Sequence, residues 1–336
     1  MSGVGDPART YSTRLGRIDS AQLQQACDLF DVGTLEAAEP ASAGVWGQNI
    51  LLTTSRGAFV LRGNPIVPHQ LRKERVVAEA INDRCSLPVA WPYLVSENTE
   101  PFGWSFAIMP MLPGTTGSQL WESAEGPGRV ALAEAHGEAL ACLHEAEFAS
   151  PGPYDPEQDT FTTVDHYATW TLERVGSLRS RCRAIDALTP ESERYIDGLI
   201  DSCADALTEP VPVLVHHDFS LGNTAYEPHG DRYRARGVFD LGEAHIGDGE
   251  EDLVRFLFRR KRAEREVFMA AYTVRHPLRP DAGDRLALYT LADLLFMWEV
   301  STRVTGWFGD SSFVDVVTPA IDAVRRAACG PGVRLR

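Results

Sequence analysis

Lysine is almost missing from this chain. Lys73 and Lys261 stand beside thirty arginines, so any task that needs a compact ammonium has two candidates, and a planar guanidinium must do the rest. No apolar run reaches the 18 or so residues that a membrane-spanning helix needs. There is no C-x-x-C pair. The six cysteines are scattered at 27, 85, 142, 182, 203 and 329, which argues against a cysteine zinc site or a disulfide framework and for reduced thiols in a cytoplasmic protein. The first 19 residues lack the apolar core of a signal peptide and are expected to be a frayed tail. Excess positive charge is also missing. The net charge is −15, and it is lopsided: residues 1–112 hold 9 Lys+Arg against 11 Asp+Glu, a net of −2, and the remainder 23 against 36, a net of −13. Nucleic acid is a poor partner for such a surface. It would steer a cationic small molecule or simply keep the protein in solution. Neither internal repeats nor low-complexity tracts are found.

What is present is an ordinary globular composition, 44% hydrophobic and 24% charged over 336 residues, enough for two lobes with their own cores. The spacing of Leu23, Cys27 and Phe30 predicts a helix over about 20–31, capped by Asp19 or Ser20. GVWGQNILLTT and GAFVLRG read as two strands around Ser55-Arg56-Gly57. A helix follows over about 69–84, then strands within 91–97 and 104–112. After Pro113 helical patterns dominate, at about 129–148, 163–184, 190–207 and most of 250–328. They are interrupted by the strand VPVLVHHD and a hairpin covering about 223–227 and 234–241. The reading is an α+β chain: a tail over 1–19, a β-rich lobe over 20–112 and a mostly helical lobe over 113–330. A cleft between such lobes is where ligands collect.

The chemistry concentrates in VLVHHDFSLGN, residues 213–223, where a short apolar strand runs into His216, His217 and Asp218, with Asn223 five places on. One reading is a metal nest of the two histidines and Asp218, with His229 and His245 in reserve. Adjacent residues at a strand end point to opposite sides, which works against it. The other reading is a catalytic loop. His216, Asp218 and Asn223 form H-x-D-x-x-x-x-N, and 22 residues after Asp218 the segment VFDLGEAHIGD places Asp240 at the end of another strand. A hairpin joining the two would gather Asp218, Asn223 and Asp240. That set is what phosphoryl transfer requires: a carboxylate to orient a hydroxyl and take its proton, and hard oxygens for Mg²⁺.

VLVHHDFSLGN…VFDLGEAHIGDGEEDL resembles the aminoglycoside phosphotransferase and choline-kinase-like superfamily, relatives of the protein kinases, with hygromycin-type antibiotic phosphotransferases the nearest comparison. The pattern departs from the usual one at His217, where glycine is common, and at Gly249, where proline is common. The resemblance implies a bilobal protein-kinase-like fold and an ATP- or GTP-dependent kinase for small molecules. Asp218 would then be the catalytic base, Asn223 and Asp240 the Mg²⁺ ligands, and His216 a hydrogen-bonder of the loop. In the first lobe it implies a phosphate-covering turn at Gly44 and Gly47, which an ordinary hairpin would explain equally. It also puts Arg62 where a phosphate-pairing lysine usually stands, with Glu74 as its helix partner and Glu79 as the alternative. Backbone contacts to the base would come from Met109, Met111 and Leu112. His144, in ALACLHEA, is expected to be a core residue. Candidate acceptor contacts are Asp165, Trp170, Glu243, Trp298 and Glu299, while Asp293 and other acids and aromatics of the later helices are also available.

The acceptor expected from the acidic second lobe is an antibiotic of aminoglycoside type. A nucleoside or peptide antibiotic, or a metabolic alcohol such as choline, a sugar or homoserine, remains an alternative. So does a kinase-fold protein that binds without turnover, since fold does not fix function.

Overall fold

The computed structural model describes residues 9–41, 48–67 and 69–334. The chain opens with a hairpin, β1 (Arg9–Ser12) and β2 (Gly16–Ile18), followed by α1 (Ser20–Leu29), β3 (Leu35–Pro40), β4 (Asn49–Thr54), β5 (Gly57–Gly63), α2 (His69–Arg84), β6 (Leu94–Ser96) and β7 (Phe106–Pro110). Strands β3-β4-β5-β7-β6, in that order, form one antiparallel sheet. Its two faces bury different cores. Along β7, Phe106 and Ile108 join Leu15, Ile18, Leu23, Ile50, Leu52 and Leu61 beneath α1, while Ala107 and Met109 join the core that continues through α2 into the second lobe. The period-2 alternation of a strand therefore fixes β5 as well: Leu61 faces α1, so Arg62 faces α2 and the cleft.

One expectation needs correction here. The residues expected to be a frayed tail form the β1–β2 hairpin from Arg9 onward, because Leu15 and Ile18 are buried in the first core. The strand β3, LEAAEP, carries little strand signal in its sequence, being an edge strand with consecutive exposed residues.

The second lobe continues with β8 (Thr115–Thr116), α3 (Gly117–Ser123), α4 (Gly126–Leu143), β9 (Tyr154–Asp155), β10 (Thr160–Phe161), α5 (Tyr167–Arg183) and α6 (Pro190–Cys203). It then runs through β11 (Pro212–Val215), β12 (Thr224–His229), β13 (Arg232–Val238), β14 (His245–Asp248), α7 (Val254–Leu257), α8 (Arg262–Thr273), α9 (Ala282–Val300) and α10 (Phe313–Ala328). Helix α4 is buried nearly all round and crosses α8 so closely that a Cβ at Gly137 would lie 2.3 Å from the Phe268 carbonyl oxygen. Helix α9 is the other buried spine, packed on α5, α6 and α10. Two small sheets carry the polar cluster: β11 pairs with β14, and β12 lies between β13 and β8. All six cysteines are free thiols, and among the described residues no helix is long and apolar enough to cross a membrane.

Candidate active site

The strand β11 ends at Val215, and the chain turns sharply because both following amides are captured by one carboxylate. His216 N–H and His217 N–H donate to the two oxygens of Asp252, each at 2.7 Å. Asp252 is itself buried and meets His144 Nε2 at 3.2 Å, whose Nδ1 bonds the Tyr272 hydroxyl at 2.9 Å. His144 is thus a core residue that steadies the loop's anchor. Gly249 lies against that imidazole, where a Cβ would come within 2.6 Å of Nδ1.

His216 points inward and spends both ring nitrogens on the loop. Nδ1 accepts from the Asp218 N–H at 3.2 Å and Nε2 donates to the Phe239 carbonyl at 3.1 Å. The second bond joins the loop to the end of β13. His217 has a left-handed backbone (φ 64°), a conformation costly for a branched or bulky residue, and its ring faces His245 at 5.4 Å. Burial, then Arg174 and His245, hold the His217 imidazole well below its ordinary value. The two histidines therefore do not converge on one point, and among the described residues no group of three or more His, Cys, Asp or Glu is placed to hold a metal.

Asp218, Asn223 and Asp240 do converge. Asn223 Nδ2 donates to the Asp218 carbonyl at 3.0 Å, and the Asn223 carbonyl accepts from Phe239 N–H at 3.0 Å. The antiparallel pairing of Thr224 with Val238 sets Asn223 and Asp240 at the same end of the hairpin. Asp240 is left-handed (φ 66°), which turns its carboxylate out of the strand toward the cleft. Among the described residues nothing bonds Asn223 Oδ1 or Asp240 Oδ2. Free hard oxygens at one end of the hairpin suit Mg²⁺, which takes few protein ligands and completes its shell with phosphate and water.

Arg62 reaches this site from the first lobe. It is 7% exposed and gives Nη2 to Asp240 Oδ1 at 2.7 Å and to Glu74 Oε1 at 2.9 Å, with Nε also on Glu74 at 3.2 Å. Burial alone would lower the guanidinium, but Glu74 and Asp240 outweigh it and hold Arg62 above its ordinary value. Glu74 further accepts from Tyr93 at 2.6 Å and Gln70 at 2.9 Å. Glu79, the alternative partner, lies instead 3.9 Å from Arg75. Lys73, next to Glu74, is half-buried near Glu243; burial pulls it down despite Glu243 and Glu74.

The remaining expected positions divide. Gly44 and Gly47 lie outside the described residues. Met109 is buried opposite Val60 in the sheet, and the Leu112 side chain covers Gly237. Met111 corrects the expectation for its amide: that N–H is spent on the Ala58 carbonyl at 3.0 Å, which continues the β5–β7 pairing past Pro110. Glu243 is exposed in the turn just after Asp240. Trp170 packs edge-on against His245 at 5.4 Å, with Arg174 over its ring, and so lies behind His217. Asp165 is exposed ahead of α5, with no bond to the loop. Trp298 and Glu299 are corrected as acceptor contacts. Trp298 stacks on Phe308 and donates Nε1 to the Ala187 carbonyl at 2.8 Å, and Glu299 is buried in ion pairs with Arg181 and Arg303. Both hold α9 to its neighbours.

One residue escaped the sequence reading. Arg255 on α7 donates Nη1 to Asp218 Oδ1 and grips Asp293 Oδ1 of α9 with Nε at 3.1 Å and with Nη2. Burial would lower it, but Asp293 and then Asp218 keep it above its ordinary value. The signal available was its place three residues after Asp252, one helical turn beyond the loop's anchor.

The phosphotransferase enzyme family matches residues 37–289. A comparison with curated proteins finds no match in sequence. Among solved structures, aminoglycoside phosphotransferase APH(4)-Ia, in a ternary complex with ADP and hygromycin B, superposes with a TM-score of 0.65 at 19% identity, covering 92% of this chain and 99% of that one. Macrolide 2'-phosphotransferase MphH from Brachybacterium faecium gives 0.57 at 17% identity, covering 89% and 97%. ADP-bound aminoglycoside phosphotransferase APH(2'')-Ib gives 0.55 at 18% identity, covering 92% and 99%. A β-rich lobe with two helices, a helical lobe and a match over three-quarters of the sequence lead to one conclusion: this chain has the bilobal kinase-like fold and belongs to the phosphotransferase enzyme family.

Proposed function

We propose that this phosphotransferase moves the γ-phosphoryl group of ATP to a hydroxyl of a small-molecule antibiotic, with an acceptor of aminoglycoside type favoured. The observation that carries the reading is the gathering of Asp218, Asn223 and Asp240 at one end of the β12–β13 hairpin, with Asn223 Oδ1 and Asp240 Oδ2 left free. ATP is favoured over GTP because the superposing antibiotic phosphotransferases carry ADP or an ATP analogue. The acidic second lobe supports a cationic acceptor.

Asp218 orients the acceptor hydroxyl and takes its proton as the new O–P bond forms and the bond from Pγ to the β–γ bridging oxygen breaks, releasing ADP. Asn223 and Asp240 would hold Mg²⁺, which neutralises the triphosphate. Arg62 keeps Asp240 in place and brings positive charge under the phosphates. Most of the rate comes from placement and fixed charge rather than from strong acid–base chemistry.

The test is ADP release coupled to a spectrophotometric readout, over a panel of aminoglycosides, macrolides, nucleoside antibiotics and amino alcohols. Acceptor-dependent ADP that vanishes in Asp218→Ala is the expected result. Normal Mg·ATP binding with no turnover across the panel would favour a binding protein instead.

A further inference from the structure

Arg255 is a charge that the reaction does not obviously need. A base works by holding a free, correctly aimed lone pair, and a guanidinium on it weakens that base. Yet Arg255 sits nine-tenths buried beside Asp218, with side-chain exposures of 11% and 31%. Its other side is braced by Asp293, which is 4% exposed. The planar fork is divided: Nη1 goes to Asp218 Oδ1, while Nε and Nη2 go to Asp293 Oδ1. Asp293 Oδ2 has no partner among the described residues, so Arg255 is what neutralises that carboxylate.

Two roles fit a buried Asp–Arg–Asp chain. Arg255 could serve only the fold, by neutralising Asp293. But Asp218 needs no such neutralisation. It is part-exposed in the cleft, and its backbone is already fixed by His216, Asn223 and the Asp252 anchor. What the backbone bonds leave undetermined is rotation of the carboxylate itself. Arg255 settles that by taking Oδ1, which leaves Oδ2 as the oxygen available to an acceptor hydroxyl.

We infer that Arg255, braced by Asp293, is a positioning residue that fixes the Asp218 carboxylate so that one oxygen faces the acceptor. The inference rests on the phosphotransfer reading above. It assigns Arg255 no contact with substrate, and α9 enters the site through Asp293 rather than through Trp298 or Glu299.

The experiment compares Arg255→Met, the double variant Arg255→Met/Asp293→Asn, Arg255→Lys and Asp218→Asn, by steady-state kinetics on the best acceptor and by thermal unfolding. Arg255→Met alone strands a buried charge and will be poorly folded. The double variant removes both members of that pair, and its melting temperature returns toward that of the parent. The positioning role predicts that its kcat nonetheless stays about 10–100-fold down, the size of loss expected from a misaimed reacting group, with both KM values within about threefold of the parent. Arg255→Lys, which keeps the charge but loses the fork, falls between the two. If the double variant recovers full kcat, Arg255 serves only the fold and the inference is overturned. A large rise in acceptor KM at unchanged kcat overturns it too, by making Arg255 a binding residue. If Asp218→Asn is as active as the parent, the phosphotransfer reading itself fails, a separable outcome.

Discussion

Replacing Glu74 by Gln tests how the two lobes share a site. The carboxylate is 2% exposed and receives four donor contacts, two from Arg62, one from Tyr93 and one from Gln70. Gln keeps the volume and one acceptor oxygen, so no cavity opens and the loss is electrostatic. Breaking a buried pair from one side costs about 3–5 kcal/mol, and the isosteric change belongs near the lower figure. With a urea dependence of about 3 kcal/mol per M, the unfolding midpoint falls by about 1 M. Activity should show a second effect. Arg62 is left with Asp240 as its one carboxylate partner, and it competes harder with a metal for that group. KM for Mg·ATP then rises about tenfold, equivalent to about 1.4 kcal/mol, while acceptor KM holds. Urea unfolding followed by circular dichroism and initial-rate kinetics read the two effects separately. An unchanged midpoint together with an unchanged KM for ATP would refute the reasoning.

Asp218→Asn should lower kcat by about 10²–10⁴-fold, the usual worth of a positioned base, with Mg·ATP affinity by calorimetry intact; loss of that affinity would reassign the residue. Gly137→Ala should cost at least about 1–3 kcal/mol, because the new methyl meets the Phe268 backbone and α4 and α8 must part. An unchanged melting temperature would show that this crossing is looser than described. His136 is fully buried against Phe219 and Tyr226, and burial, followed by Arg260 and His216, lowers its imidazole from 6.5 to about 3. The unfolded chain therefore takes the proton first. Stability from this group is complete above about pH 6.5 and is lost as pH falls, by up to about 1.4 kcal/mol per unit. His136→Gln should flatten the fall in urea midpoint between pH 6.5 and 4.5, and an equal slope in both proteins would count against it.

Legibility followed distance along the chain. The helix over 69–84, the strand into the loop and the gathering of Asp218, Asn223 and Asp240 were readable because each rests on a local pattern or on a hairpin that joins near neighbours. Arg62 and Glu74 are expected as a pair only through the resemblance to the phosphotransferases, and the bond from Arg62 to Asp240 spans 178 residues. Nothing local marked it. Trp298 and Glu299 misled for a related reason: an aromatic and an acid on a C-terminal helix look alike whether they face a cleft or, as here, bind α9 to Ala187, Arg181 and Arg303. Strand β14 shows in the sequence only as a motif, because its pairing partner, β11, lies 30 residues earlier. Arg255 needed both α7 and α9 to be in place before its purpose could be seen.

Asp252 has a consequence for how this enzyme can be divided or shortened. It is the shared clasp for the two amides that begin the turn into Asp218, and it lies 36 and 35 residues downstream of them. A fragment ending between the hairpin and that aspartate would contain each group assigned to the chemistry and still lack the knot that shapes them. Shortening from the far end removes α10, α9 and α8, which carry this lobe's core, before it reaches that aspartate, whereas an internal cut between residues 216 and 252 separates the clasp from the amides it holds.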